Sequence, residues 1–467
     1  MVKEDAANLG IDDTNELMTP QPAQTTRKPL SKCQTSTIRL DTTLADLYRE
    51  CGIQGPFIVT MYCVFGHMDL HPCFPRELVY PEDEEPVPYA NNEKEIERLR
   101  KIILGLKPLR RAFGLGNMDL LVFAPNITEA GMERALSQLE PDQRHRPRVV
   151  DLNGEDFVAS LQETTKNAKL LFWRPQGWMD HHSCLLNPRE MFDINSKMFL
   201  LTSGIRTPTS EVFDLQKVVL DAPSCIFQTK PLPFVVKLLR AGCGFGTFII
   251  KTEAQRNNLL ASLTIYKARG TTDVILSQYI DLVHDLSVHF VVGAPGTAHD
   301  RNAPLIMGVT VQTLTTEGKW VGGHIDYSMQ DKLCQLVQKT VQDTTRRLPM
   351  TFVGWAGVDI VADKEGEQYV VDLNARFTGS MPICLMSGHF WKERALPLAQ
   401  FAAVEYVGKV DDIYNRLQPL IETGRVIITA TAEIEDDLNM ADVVWGGKDT
   451  KHLSDTEQWI KEMLVGI

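Results

Sequence analysis

The chain has no apolar run near the roughly 18–20 residues that a membrane-crossing helix needs. Its most apolar segment, Phe57 to Phe65, is short and rich in Val, Ile, Tyr and Phe, which suits a buried strand. The first ten residues carry Lys3, Glu4 and Asp5 and no apolar core of the kind a secretory leader has. Nine cysteines are scattered with no C-x-x-C pair. A disulfide scaffold is therefore not expected, and the pattern is that of a reduced intracellular protein. Positive charge is in deficit: 48 Lys and Arg stand against 60 Asp and Glu, a formal net charge of −12. Nucleic-acid binding, which depends on clustered Lys and Arg against phosphate, is not expected. A locally basic pocket for a small anion stays open. The expected location is cytoplasmic.

What is present reads as ordinary soluble globular chain, with 43% hydrophobic and 8% aromatic residues over 467 positions. That length suggests about three domains. A chain of this size needs neither disulfides nor a structural metal to build a core. Residues 11–37, rich in Thr, Gln, Pro and Asp, predict a flexible tail. A short helix is predicted over Leu40–Cys51, then a strand over Pro56–Phe65, and the acidic stretch Pro81–Pro86 predicts a solvated loop. Helical spacing follows over Glu93–Leu106, with Ile96, Leu99 and Ile103 on one face. Short apolar runs at Leu120–Phe123, Val149–Leu152 and Leu170–Trp173 alternate with helix-like segments. This predicts a parallel, Rossmann-like sheet over residues 40 to 190.

The second half changes character. A helix is predicted over Asn195–Thr202, ending at Gly204 ahead of Ile205-Arg-Thr-Pro208. Strands are predicted at Pro233–Lys237, Thr247–Lys251, Ile275–Ile280, Leu286–Val292, Pro304–Gln312 and Trp320–Tyr327. Helices are predicted over Ala254–Lys267 and Gln330–Arg347, the latter with Leu333, Leu336, Val337 and Val341 on one face. Clustered hairpins with single helices indicate an α+β region, in contrast to the α/β first half.

Two constellations carry chemistry. Gly242, Gly244 and Gly246 alternate between two predicted strands, so the backbone can turn tightly and bring several N–H groups toward an anion. A glycine-rich hairpin turn without a ligand fits the same residues. Lys237, at the end of the preceding strand, is costly to bury without an anion, or else snorkels from an edge strand. The second constellation runs from Gly357 to Asn374 and reads as a hairpin turning at Glu365-Gly366. Asp359 and Asp372 lie symmetrically about that turn, so a two-residue loop sets them directly opposite, with Cβ atoms ~5 Å apart on one face. Asn374 shares the face. Opposed carboxylates repel unless a cation lies between them, and an Asp/Asp/Asn oxygen set suits Mg²⁺ beside nucleotide phosphates. A solvent-facing polar side of an edge hairpin is the alternative.

The order Lys197, Lys237, glycine-rich loop, Gln278-Tyr279-Ile280, Asp285, Asp359, Asp372-Leu-Asn374 resembles the ATP-grasp superfamily over about residues 195–385. The fold class this implies is mixed α+β and α/β. A Rossmann-like domain at 40–190 would follow a tail at 1–39. It would precede an ATP-grasp small lobe at 191–282 and a C-terminal lobe at 283–467 with the metal-binding hairpin. By that resemblance, Lys197, Lys237 and the loop glycines Gly242, Gly244 and Gly246 contact the phosphates of ATP. Gln278, Tyr279 and Ile280 border adenine, with Gln278 where the family more often has Glu. Asp285 takes the ribose-binding place. Asp359, Asp372 and Asn374 hold Mg²⁺, with Mn²⁺ as a substitute. Arg376 matches the arginine of an "E-x-N-x-R" variant, and with Lys237 it is the expected catalytic residue, stabilising the transferred phosphoryl group or holding a carboxylate. Two departures stand out: Gly357 where some ligases carry arginine, and Asp372 where Glu is commoner.

The implied activity is ATP-dependent carboxylate–amine ligation through an acyl phosphate, with small-molecule acid and amine as partners and neither nucleic acid nor membrane. A homodimer is compatible with it. The alternatives are an ATP-grasp phosphotransferase and a non-catalytic ATP-binding module. His67, Asp69, His71 and Cys73 alternate after the first strand, and Asp180, His181 and His182 lie beside Cys184. The first fits polar loop packing or a substrate contact better than a metal site, since i, i+2 ligands on one strand rarely converge, and the second, downstream of Trp173–Trp178, fits a cleft wall. His289 and His324 are expected to be structural. Thr378-Gly379-Ser380 admits a substrate closely or simply forms a turn.

Overall fold

The computed structural model places three β-sheets along the chain. The description below covers residues 37–61, 78, 93–124, 129–241, 246–314, 320–434 and 438–465. The expectations for His67, Asp69, His71 and Cys73, for Pro81–Pro86 and for Gly242 and Gly244 lie outside them. So do the side chains of Ile96, Leu99 and Ile103.

Four short strands, β1 (Phe57–Thr60), β2 (Asp119–Ala124), β3 (Arg146–Asp151) and β4 (Lys169–Phe172), form a parallel sheet in the order β3-β2-β1-β4. Ile58, Val59, Leu120, Leu121, Leu170 and Leu171 are buried in it, as the apolar runs predicted. Helices Glu129–Ser137 and Phe157–Thr165 provide the crossovers that parallel pairing requires. The helix predicted over 93–106 is α-helical over Glu93–Lys101 and passes through a π turn, Ile102–Leu106, into Lys107–Ala112. Pro108, which lacks an N–H, follows that turn and interrupts the regular ladder. Residues 38 and 39, placed in the expected tail, are part of the fold: Ile38 is buried and bridges in parallel to Leu139, and Arg39 pairs with Asp142 at 2.9 Å.

A second sheet, β5 (Ser210–Asp214), β6 (Phe234–Leu238), β7 (Thr247–Ile250) and β8 (Asp273–Gln278), is antiparallel in the order β5-β8-β6-β7. Its core is its own: Phe227, Phe234, Val236, Leu238, Leu259, Leu263, Val274 and Leu276. Helix Glu253–Ala268 covers it, started by a capping box between Thr252 and Gln255.

The third sheet has eight strands: β9 (Leu282–Val292), β10 (Leu305–Leu314), β11 (Trp320–Asp326), β12 (Gly354–Asp363), β13 (Gln368–Asn374), β14 (Leu398–Tyr406), β15 (Val426–Ala432) and β16 (Asn439–Gly447). Their order is β13-β12-β9-β10-β11-β14-β16-β15, and every pair is antiparallel. Helix Gln330–Arg347 appears with the predicted bounds, but its buried stripe is Val337, Val341, Thr344 and Thr345, while Leu336 is 44% exposed. Leu336 and Val337 are ~100° apart around a helix, so they do not share a face. Along β9, residues 282–284 are exposed and 286–292 buried, and Asp285 marks the transition. No helix among the described residues is long and apolar enough to cross a membrane.

Candidate functional site

The hairpin β12–β13 sets Asp359 directly opposite Asp372, and Gly357 opposite Asn374. The predicted pairing is observed, although the turn behind it is not the expected two-residue loop. Near the turn the register is Ala362↔Gln368 and Val361↔Tyr369, one residue short of that at the carboxylates. Asp363 closes the turn: its N–H donates to Glu367 O at 3.1 Å, and its Oδ1 accepts from the N–H groups of Glu365 and Glu367. Gly366 takes φ +82°, the left-handed conformation that ends a three-residue loop. A bulge at Val371 then adds one residue to β13 and restores the Asp359–Asp372 pairing. The carbonyl of this bulged residue accepts from Lys237 Nζ at 2.7 Å.

Lys197 reaches the same carboxylates from a different element. Ser196 caps helix Lys197–Thr202 by accepting from Met198 N–H at 3.2 Å. The Lys197 N–H donates to Leu239 O at 2.8 Å, just past β6. Its buried ammonium donates to Ala241 O at 2.9 Å and lies 3.4 Å from Asp372 Oδ1. Two lysines thus converge on two aspartates. Burial pushes the Lys237 ammonium down to about 8, Lys197 acts in the same direction, and Asp372 and Asp359 oppose it. Burial and the facing Asp372 push the Asp359 carboxyl up to about 7. The Ser287 hydroxyl, donating to Asp359 Oδ1 at 2.6 Å, works against that rise.

Asp285, expected at a ribose, pairs with Val361 two residues before the Asp359↔Ser287 pair, on the same sheet face as Asp359. Burial raises its carboxyl. Arg376 donates from Nη2 to Asn374 Oδ1 at 3.0 Å and stands 5.4 Å from the ring centre of buried Trp173, just past β4. Arg111 and Arg174 lie over the same indole at 3.8 and 4.7 Å. The hairpin's exit therefore meets the end of the parallel sheet, where ligands of such sheets collect.

Gln278 is exposed at the end of β8, and the ring of the neighbouring Tyr279 carries Lys251 Nζ at 4.8 Å. Ile280 is partly buried. Gly246 has φ +66°, and a Cβ there would come within 2.7 Å of Ala241 Cβ, so this end of the loop requires glycine.

The second histidine cluster disperses into local contacts. Asp180 pairs with Arg189 at 2.6 Å, His182 Nδ1 bonds Thr165 Oγ1 at 3.0 Å, and the Cys184 thiol donates to Met179 O. Among the described residues no three His, Cys, Asp or Glu side chains gather to hold a metal. A cavity of about 560 Å³ lined by Pro56, Thr165, Lys169 and His182 lies at the opposite end of β4 from Trp173, away from the aspartates. Sequence reasoning missed Ser287, Asn195 and the arginines around Trp173. Ser287 alone had a local signal, two residues along a strand from Asp285.

Residues 217–374 match the sequence model of a family described as L-aspartate–L-methionine ligase, ATP-grasp. The match holds Lys237, Asp285, Asp359, Asp372 and Asn374, and leaves Lys197 and Arg376 outside. No curated protein matches the chain. Similar solved structures include an N5-carboxyaminoimidazole synthetase from Staphylococcus aureus complexed with ADP, 13% identical over 76% of this chain and 94% of its own, TM-score 0.49. An L-amino acid ligase from Bacillus licheniformis is 11% identical over 88% and 98%, TM-score 0.48. Biotin carboxylase from Campylobacter jejuni is 10% identical over 89% and 92%, TM-score 0.46.

Proposed function

Taking the chain as the ATP-grasp protein that residues 217–374 make it, we propose that it uses ATP and Mg²⁺ to join a carboxylic acid to an amine, both substrates being amino acids. The observation that carries this reading is the directly opposed pair Asp359 and Asp372, with Asn374 on their face and the Lys197 and Lys237 ammoniums beside them. The amino-acid substrates are taken from the matched family's description.

The donor set fits a hard divalent cation: two carboxylates and an amide oxygen share a sheet face, and one carboxyl is raised by burial and then by the charge of the other. Asp359, Asp372 and Asn374 would hold Mg²⁺ or Mn²⁺, and the bound ion would withdraw charge from the phosphates. Lys197 and Lys237 neutralise phosphate oxygens, and Arg376 holds the acid's carboxylate or the phosphoryl group passing to it. A carboxylate oxygen attacks the γ-phosphorus and ADP leaves. The amine nitrogen then attacks the acyl carbon and phosphate leaves, as the nitrogen gives up its proton. Keeping water from the acyl phosphate is the larger demand on the fold.

The test is ADP release from Mg²⁺-ATP with L-aspartate and L-methionine, together and singly, with product mass. ADP and phosphate that require both amino acids, and that vanish with EDTA, are expected. AMP and pyrophosphate would sink the acyl phosphate route. ADP with an acid alone and a phosphorylated product would favour a phosphotransferase.

A further inference from the structure

Arg376 lies in a short segment, Asn374 to Thr378, that is anchored on both sides of it. On one side the Ala375 N–H donates to Asn195 Oδ1 at 3.0 Å. The amide of Asn195 is itself oriented, because its Nδ2 donates to Met191 O at 2.8 Å. Asn195 is buried and lies two residues before Lys197, so the phosphate-side lysine and the substrate-side arginine share an anchor.

On the other side stands His289, fully buried on β9 opposite Gly357. The hydrogen bonds around it have one consistent direction. The Thr310 hydroxyl gives its one hydrogen to Ser287 O, so His289 Nε2–H donates to Thr310 Oγ1, and Nδ1 is left to accept from the Thr378 hydroxyl at 2.9 Å, while Trp355 Nε1–H donates to Thr378 Oγ1 at 3.3 Å. The Nε2–H···Thr310 Oγ1 distance is 3.1 Å and that from Thr310 Oγ1 to Ser287 O is 3.3 Å. Burial holds the imidazole down to about 3, so it is neutral at any ordinary pH. Stacking on Trp355, with ring centres 6.3 Å apart, fixes its plane. The adjacent position in the ladder must be small: a Cβ on Gly357 would stand 2.8 Å from Thr378 Cγ2.

We propose that His289, acting through Thr378, and Asn195, acting through Ala375, are positioning residues that fix Arg376 against the acid substrate. This rests on the reading of Arg376 as the group facing that substrate. Neither residue touches a reacting atom. A neutral histidine with its hydrogen on Nε2 is required because Thr310 gives its one hydrogen to the Ser287 carbonyl and can only accept from the ring.

Two measurements test the clamp. Thr378→Val keeps the shape and removes the hydroxyl, whereas Thr378→Ser keeps the hydroxyl. With Mg²⁺-ATP, L-aspartate and L-methionine as probes, Thr378→Val is expected to lower kcat/KM for the acid by about 10–100-fold, the scale of a small misplacement of a binding group. The KM for ATP should stay within about twofold, and Thr378→Ser should recover most of the loss. A valine variant as active as the parent, or one that loses ATP and acid affinity equally, would overturn the proposal. Independently of turnover, ¹⁵N-histidine NMR should show His289, identified by its loss in His289→Gln, as the neutral Nε2–H form between about pH 5 and 8. A titrating signal or an Nδ1–H form would also overturn it. A parent protein with no turnover but the Nε2–H signal intact would uphold the clamp's hydrogen-bond relay and count against the ligase reading alone.

Discussion

Asp372 faces Asp359 across the hairpin and also receives Lys197 at 3.4 Å, so it joins the carboxylate pair to the lysine pair. Asp372→Ala should abolish ADP release while leaving the melting curve within a few degrees of the parent, since the side chain is only half-buried. Full activity in that variant would defeat the metal assignment. Asp359 makes a prediction in pH. Its folded carboxyl holds a proton up to about 7, against an ordinary 3.8. Its contribution to stability is therefore fully present below about 3.8 and is lost as pH rises through 7. In EDTA the melting temperature should fall across that window by the equivalent of roughly 1–3 kcal/mol, and Asp359→Asn should flatten the fall. A parent curve that rises across the same range would contradict the burial of this charge. The pairing of these acids was legible because it depends on local spacing about a turn. Ser287 was marked only by its spacing from Asp285 along one strand, and Asn195 was not marked, because each finds its partner far off in sequence, 72 and 180 residues away.

The hairpin shows how an element can satisfy a simple spacing rule by an indirect route. A three-residue turn would have slipped the register by one, and a one-residue slip turns every later side chain to the other face. The bulge at Val371 cancels the slip and leaves the Val371 carbonyl for Lys237. Alternation and turn residues predicted a hairpin here, but a compensated pair of irregularities leaves no periodic trace. Helix Gln330–Arg347 is the converse: its bounds were legible and its face partly misread. The core-facing stripe predicts that Val337→Ala costs about 1–3 kcal/mol of unfolding free energy and Leu336→Lys less than about 0.5. Denaturant titration of both variants checks it, and equal losses would mean that the helix is rotated from the position described.

Across the whole molecule, the parallel sheet and the large antiparallel sheet share one apolar core, whereas the β5–β8 sheet keeps its own. The junction is pinned by buried polar pairs. Arg110 makes a two-pronged pair with Asp442 on β16, and Gln138 bonds both the N–H and the carbonyl of Ile428 on β15. Asp442→Asn should cost about 3 kcal/mol, as breaking a buried ion pair does, and appear as a single lowered transition rather than a separate melting of the first sheet. Two resolved transitions would show that the sheets unfold independently. The α/β character of one half and the α+β character of the other were legible from strand and helix alternation. The docking between them was not, since Arg110 and Asp442 are 332 residues apart and no local pattern pairs them.

Gly357 carries a consequence for how this site can change over time. Because Thr378 and His289 fill the space a side chain would need there, an arginine at 357 is closed to a single substitution. Gly357→Arg alone should be strongly damaging, while in a Thr378→Gly background the same change should be far milder. A double-mutant cycle would then show a coupling above about 1 kcal/mol. The two positions form an epistatic pair, so a lineage with glycine at one is held to its own arrangement of guanidinium groups until the other yields first.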